Sequence, residues 1–334
     1  MKTSWILETD GNPLTAVRQF LLELWPNASL SGMLIPVYKA NGTQVAPAFI
    51  DEPGQLVQSD PFAPIIAGNS ARLAPTVADA HPKGVLGAVL RSCEARAFDW
   101  LAGQKKIAPN RWLVIGVDCL ASFPIADFEW RVNKAGSVER LTREALRFAR
   151  LGGIAPYRYR HACQMCATPA VETADLRVEL LGLPVKQMVL ITTKDRDIAR
   201  KLRLQELTDG MAPATMVARR EATLAVLAGR RRRALDRMMQ ALADDAPAEV
   251  DAFLEHLANC APCRECLEAC PVYAGDFFPA GNGDTGLSQA ARRWLAACVA
   301  CGMCEDACPR HLPLMAIINR INMVPDAYRA GVVS

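Results

Sequence analysis

Eight cysteines fall into two runs of identical spacing, Cys260-x2-Cys263-x2-Cys266-x3-Cys270-Pro271 and Cys298-x2-Cys301-x2-Cys304-x3-Cys308-Pro309. Three thiolates within seven residues oblige the backbone to wrap a tight loop around one polynuclear centre. Structural zinc instead draws two ligands from each of two short knuckles. The fourth cysteine of each run stands one turn further on, where it cannot easily reach the same centre, and the proline after it fixes the exit of the chain. Each fourth cysteine therefore completes the centre of the other run, an arrangement typical of paired 4Fe–4S clusters. The spacing predicts one cluster on Cys260, Cys263, Cys266 and Cys308, and a second on Cys298, Cys301, Cys304 and Cys270.

Composition removes the competing explanations. Twelve cysteines in 334 residues are many, yet a chain of this length needs no disulfide staples, and clustered cysteines read better as metal ligands. The opening MKTSWILETDGNP has an apolar run broken by Glu8 and Asp10, which is no signal peptide, and no stretch approaches the roughly 20 apolar residues of a membrane span. A cytoplasmic protein without a transmembrane segment is expected. The net charge of +3 is too small for a nucleic-acid footprint. The basic concentration at Arg219, Arg220, Arg230 to Arg233 and Arg237 reads first as a solvated helix face, and second as a docking patch for an acidic partner.

Hydrophobic periodicity divides the chain. Residues 1–194 alternate strand-like segments (Trp5 to Leu7, Met33 to Tyr38, Gln44 to Ile50, Val85 to Leu90, Trp112 to Val117, Val185 to Thr192) with helical ones. The helices are opened by Asn12-Pro13, run from Glu94 to Leu101, and run from Val138 to Leu151, while Asn41-Gly42 signals a hairpin. Residues 195–250 read as a helical linker, and Asp245-Ala-Pro-Ala-Glu as the start of a helix ending near Asn259. Residues 251–334 hold the cysteine runs. Twenty-seven residues separate Cys270 from Cys298, and they include a helix from Leu287 to Ala297. This looks like the α-helical ferredoxin module of heterodisulfide reductase and succinate dehydrogenase iron–sulfur subunits. The expected fold class is an α/β, flavoprotein-like N-terminal domain followed by a mostly α-helical ferredoxin domain.

Four cysteines remain. Cys93 follows a strand at a strand-to-helix turn, Cys119 lies just past the next strand, and Cys163-Gln-Met-Cys166 offers two adjacent thiolates. Neighbouring strand ends in an α/β sheet lie close together, where ligands bind. From spacing alone these are small core residues, a zinc or redox CxxC, or a third cluster. The blocks Arg91-Ser-Cys93-Glu-Ala-Arg-Ala97, Gly116-Val-Asp-Cys119-Leu-Ala-Ser-Phe-Pro124 and Ala162-Cys163-Gln-Met-Cys166 occur in an order that resembles the coenzyme F-420 hydrogenase/dehydrogenase beta-subunit family. The resemblance spans roughly residues 60 to 200, and the tail is similar to the formate dehydrogenase beta-subunit arrangement.

The resemblance implies a third 4Fe–4S cluster on Cys93, Cys119, Cys163 and Cys166, and an FAD beside it. The family usually opens its first block with Pro-Cys, where this chain has Ser92-Cys93. Asn69, Ser70 and Arg72 sit where the family contacts its flavin, and Thr192, Thr193 and Lys194 form a second candidate patch. No glycine fingerprint for a dinucleotide accompanies them. The histidines His81, His161, His256 and His311 are expected at the surface or behind ligands. No nucleophile motif, P-loop or metalloprotease signature is present. The expected function is that of an oxidoreductase subunit that passes electrons between a hydride carrier, FAD and partner redox subunits. The expected partners belong to a formate dehydrogenase, hydrogenase or heterodisulfide reductase-like complex. The rivals are a flavin-free electron-transfer module and a zinc-bearing scaffold.

Overall fold

The computed structural model describes residues 2–39, 42–152, 159–241, 247, 249–258, 260, 263–273 and 285–323. In chain order the elements are β1 (Thr3–Glu8), α1 (Pro13–Asn27), β2 (Leu30–Lys39), β3 (Gln44–Ile50), α2 (Ala74–Ala80), β4 (Val85–Leu90), α3 (Ser92–Gly103), β5 (Trp112–Val117), α4 (Ile125–Ala135), α5 (Val138–Leu146), α6 (His161–Met165), β6 (Leu176–Glu179), β7 (Met188–Thr193), α7 (Arg196–Lys201) and α8 (Ala214–Ala241). The cysteine region adds α9 (Val250–Ala258), α10 (Glu265–Glu268), α11 (Thr285–Ala296), α12 (Met303–Asp306) and α13 (Leu314–Met323). An α/β sheet region followed by a helical region is the fold class that the sequence predicts.

The strands form one seven-stranded sheet in the order β1-β7-β6-β5-β4-β2-β3. β2, β4, β5 and β6 run parallel, β3 hairpins back antiparallel on β2, and β7 is antiparallel to both β6 and β1. Asn41 of the hairpin signal lies outside the described residues. Alternation along each strand sorts side chains between two faces. Leu86, Ala88 and Leu90 join Phe98, Trp112 and the apolar residues of α9, α11 and α13 in one core. Val89, Leu113, Ile115 and Val117 join Leu14, Val17, Phe20, Leu21 and Leu24 of α1 in another. Those five positions recur at helical spacing, and Asn12 caps α1 by accepting from the Thr15 amide. The first core runs without a break from the sheet into the cysteine region.

Three elements depart from the sequence reading. β6 is Leu-Arg-Val-Glu, whose alternate charged residues mimic an exposed strand, but Arg177 and Glu179 are buried. α4 follows Pro124 directly and buries only Phe128 and Val132, so its apolar signal is weak. The helix expected from Val138 to Leu151 ends at Leu146, and beyond it lies a single 3-10 turn, Ala149–Leu151. The start expected at Asp245 lies outside the described residues. Among the described residues no helix is long and apolar enough to cross a membrane.

Candidate metal centres

The two cysteine runs interleave. Cys260, Cys263 and Cys266 line one cavity, of about 60 Å³, together with Cys308 of the other run, Leu257, Leu267 and Leu314. Cys298, Cys301 and Cys304 line a second space together with Cys270, Trp294, Val299 and Met315. In each run the first three sulfurs are presented by a loop and a one-turn helix, α10 or α12. Gly302 lets the second loop turn with φ +72°, and its bare Cα admits Ala162, whose Cβ would stand 2.4 Å from a side chain there. Among the described residues no three Cys, His, Asp or Glu side chains gather closely enough for one metal ion. The thiols frame a space rather than close on a point.

The third set assembles at the strand ends. β4 and β5 are parallel neighbours, so Cys93 at the start of α3 and Cys119 just past β5 meet above the sheet. α6 brings Cys163, and Cys166 stands at its C-cap. Gly116 makes room for this segment, because a Cβ there would fall 2.6 Å from Val171 and 3.0 Å from Ala174. The Cys119 amide donates to the Pro169 carbonyl at 2.8 Å, which ties the two loops together.

Thiol acidity reports the same grouping. Burial pushes Cys119 up to about 11, and the neighbouring Cys163 and Cys166 push in the same direction while Arg91 opposes them. Cys93 is raised by burial, then by Glu94, Cys301, Cys119 and Cys166. Cys301, pushed up to about 12 chiefly by burial, belongs to the second set. Burial also raises Cys298 and Cys266 to about 11 each. Burial makes these thiols costly to charge on their own. A multiply positive iron–sulfur core removes that cost, so the donor chemistry of all three sets fits a cluster.

Arginines bind the sets to one another. Arg96 of α3 donates to Ser92 and Thr168, and to the Val299 carbonyl at 2.7 Å, just past Cys298. Arg160 donates to the Cys301 carbonyl at 2.9 Å and pairs with Asp306 at 2.7 Å. His161, beside it, meets Glu305 at 2.9 Å. Arg231 of α8 donates to the Cys166 carbonyl at 2.9 Å. Trp294 of α11 donates its indole N–H to Cys270 Sγ at 3.3 Å. The sequence reading passed over Trp294, although it lies one helical turn before Cys298. Arg96 and Arg160 act across more than 100 residues of chain and leave no local signal.

The two flavin patches are not brought together. Asn69 and Ser70 abut α3. Ser70 donates its amide and hydroxyl to Glu94, and Asn69 caps Ala71, leaving its buried Nδ2 without a partner. Arg72 is exposed near Cys270. Thr192 and Thr193 are buried on β7, bonded to Ser4 and around Asp195, and Lys194 is exposed. Ser4, Thr192, Arg177, Gly116 and Leu90 form one row across the sheet. The second patch is thus two strand spacings, about 10 Å, from β5. Beside it Ser4 lines a cavity of about 900 Å³ with Lys2, Arg196, Arg200, Arg203 and Val217. The rim sets Lys2, Arg196, Arg200 and Arg203 against Glu206 and Glu221, an excess of positive charge in a space large enough for a phosphate-bearing cofactor, although Lys2, Arg200 and Arg203 already pair with carboxylates. In the Asn69–Ser70–Arg72 patch the Ser70 hydroxyl is spent on Glu94, leaving the Asn69 Nδ2 and the exposed Arg72 guanidinium as donors. His81 packs on the Phe49 ring, and the side chain of His256 lies outside the described residues.

The basic stretch of α8 is only partly a solvated face. Arg220 and Arg231 are buried, whereas Arg219, Arg230, Arg232, Arg233 and Arg237 are exposed. Arg220 pairs with Asp118 at 2.7 Å and with Glu179 at 3.2 Å.

Fold and site together define an α/β sheet protein with an appended two-centre cysteine region. Residues 259–312 match the family described as a 4Fe-4S dicluster domain. Iron–sulfur chemistry is therefore that of the C-terminal region. No curated protein matches the chain. Eleven chains of solved structures do. One belongs to a xenon-derivatised F420-reducing NiFe hydrogenase complex from Methanosarcina barkeri, with 9% sequence identity and a TM-score of 0.51, covering 72% of this chain and 92% of that one. At that identity the likeness is one of fold. It agrees with the family resemblance read from the cysteine blocks.

Proposed function

We propose that this chain is an electron-transfer subunit of a multi-subunit oxidoreductase, carrying three 4Fe–4S clusters on the three cysteine sets. One observation supports the reading: the turn that carries Cys163 packs on the loop that carries Cys301, with Ala162 against Gly302 and the Arg160 guanidinium donating to the Cys301 carbonyl at 2.9 Å. When bound, the clusters supply one-electron donors and acceptors. The chain's own residues hold the sulfurs, exclude water with Leu267, Val299, Met303 and Met315, and fix the relative position of the sets through Arg96, Arg160 and Arg231.

Lys2, Arg196, Arg200 and Arg203 would hold the diphosphate of an FAD in the cavity beside β1. Bound there, a flavin would supply the exchange between hydride and single electrons. The partner would be a catalytic subunit of a formate dehydrogenase, hydrogenase or heterodisulfide reductase-like complex in a hetero-oligomer, working in the cytoplasm. The fold shared with a chain of the F420-reducing hydrogenase complex supports this reading. A flavin-free module is the second reading, favoured because Ser70, Thr192 and Thr193 spend their hydroxyls inside the protein.

Anaerobic purification with subsequent iron, sulfide and flavin analysis tests both. About twelve iron and one flavin per chain are expected. Iron without flavin leaves the second reading, and zinc in place of iron overturns both.

A further inference from the structure

We propose that the loop carrying Cys260, Cys263 and Cys266 is the face on which a partner redox protein docks, so that electrons cross between the chain and its partner at the first centre. This rests on the three-cluster reading above and gives the row of centres its outer end.

The two cysteine runs have identical spacing, so each position in one has a counterpart in the other. Around the second centre those positions are covered. Gly302 and Met303, which follow Cys301, are buried, with Gly302 against Ala162 of α6. The Arg160 guanidinium donates to the Cys301 carbonyl at 2.9 Å. Glu305 and Asp306 complete the contact, held by His161 at 2.9 Å and Arg160 at 2.7 Å. α6 also carries Cys163, so the outer side of this loop is where the third set docks. Pro271 and Val272, which follow the crossing ligand Cys270, are buried as well.

Around the first centre the same positions are open. Arg264 and Glu265 stand where the other run has Gly302 and Met303, and both are exposed. Pro309 and Arg310 follow the crossing ligand Cys308 and are exposed too, and Arg310 donates to Cys260 Sγ at 3.7 Å. Three of the four thiols of this set are half-buried, against two in each of the others. Leu257, Leu267 and Leu314 close the inner side. A protein laid on Arg264 and Glu265 therefore meets the first centre as α6 meets the second. The rim sets Arg264 and Arg310 against Glu265 and Glu268, a balance of charge where the covered loop has Gly and Met. It suits a small polar interface with a partner of mixed charge, the kind formed in redox encounters.

The test uses the anaerobically purified full chain, reduced with dithionite, and ferricyanide as the acceptor. Each ferricyanide takes one electron from a reduced centre and leaves as ferrocyanide. Arg264→Glu should slow this reoxidation about tenfold at low ionic strength, and Glu265→Lys should speed it. Iron per chain should stay unchanged, and both effects should fade at high salt. Arg219→Glu, on the exposed face of α8, should keep the wild-type rate. In electron paramagnetic resonance, an anionic dysprosium chelate should shorten the spin relaxation of one reduced centre far more than of the other two. That effect should weaken in Arg264→Glu and strengthen in Glu265→Lys. Rates that ignore both substitutions in iron-replete chains overturn the inference alone, as does equal relaxation of all centres. A rate that follows Arg219→Glu instead also overturns it and moves the outlet to α8. A wild-type chain without iron overturns the inference and the cluster reading together.

Discussion

Arg220 shows how much a single side chain can change the meaning of a charge pattern. It occurs among seven basic residues on α8, and a run of that kind normally faces water. Yet Arg220, Leu227 and Arg231 recur at spacings of seven and four, one stripe of the helix, and all three are buried. Arg220 meets Asp118 and Glu179, which are themselves 4% and 1% exposed. Asp118 is also tied to the Leu180 and Leu181 amides at 2.8 and 2.9 Å, and it immediately precedes Cys119. Removing the cation takes the guanidinium from the buried Asp118 and leaves Glu179 with Lys2 at 3.5 Å and Arg177 at 4.0 Å. Arg220→Ala should destabilise the chain by about 3–5 kcal/mol. The exposed neighbour Arg219→Ala should stay within about 0.5 kcal/mol of wild type. Chemical unfolding of the two variants side by side checks this, and equal losses would contradict the burial argument.

At the scale of elements, the contact between α6 and α12 decides whether two centres act as neighbours. Gly302 lies against Ala162, with Arg160 Nη2 3.0 Å from where a Cβ would stand. Neither neighbour can withdraw: Ala162 is flanked by Cys163, and Arg160 is held by Asp306 and the Cys301 carbonyl. Gly302→Ala adds left-handed strain of about 1–3 kcal/mol to the clash. It should lower the thermal midpoint of cluster bleaching at 400 nm by about 4 °C or more. Gly136→Ala at φ +88°, with open space around it, carries the strain without the clash and should cost less.

The grouping within each cysteine run was legible because it depends on residues within ten positions of one another, while the exchange of Cys270 and Cys308 between the runs joins residues 28 or more apart. The gathering of Cys93 and Cys119 was legible through the rule that parallel neighbours end side by side. β6 was not, because alternation of apolar and charged residues means an exposed face unless another element, here α8, brings a countercharge. The flavin patches show the same limit: Thr192 and Ser70 have the right chemistry in sequence and spend it on Ser4 and Glu94 in the fold.

Across the whole molecule the cores of the sheet and of the cysteine region are one. Phe98 and Trp112 belong with Phe253, Trp294, Leu295 and Met315 in a single buried cluster, and Cys93, Cys301, Cys304 and Cys308 are part of it. The centres are thus embedded in the junction rather than carried on a detachable arm. Two consequences differ in kind. Cys93→Ala removes one thiol from the rim of the third set and little volume from the core. It should reduce iron from about twelve to about eight per chain while the circular dichroism stays that of wild type. Ending the chain after Ala241 removes α9, α11 and α13 from the face formed by Leu86, Ala88, Leu90 and Phe98. An apolar face of that size left in water binds hydrophobic dyes and associates. The shortened chain should therefore elute as aggregates and enhance dye fluorescence. A monodisperse product that keeps its four remaining cysteines on iron would show instead that the sheet region closes its core alone.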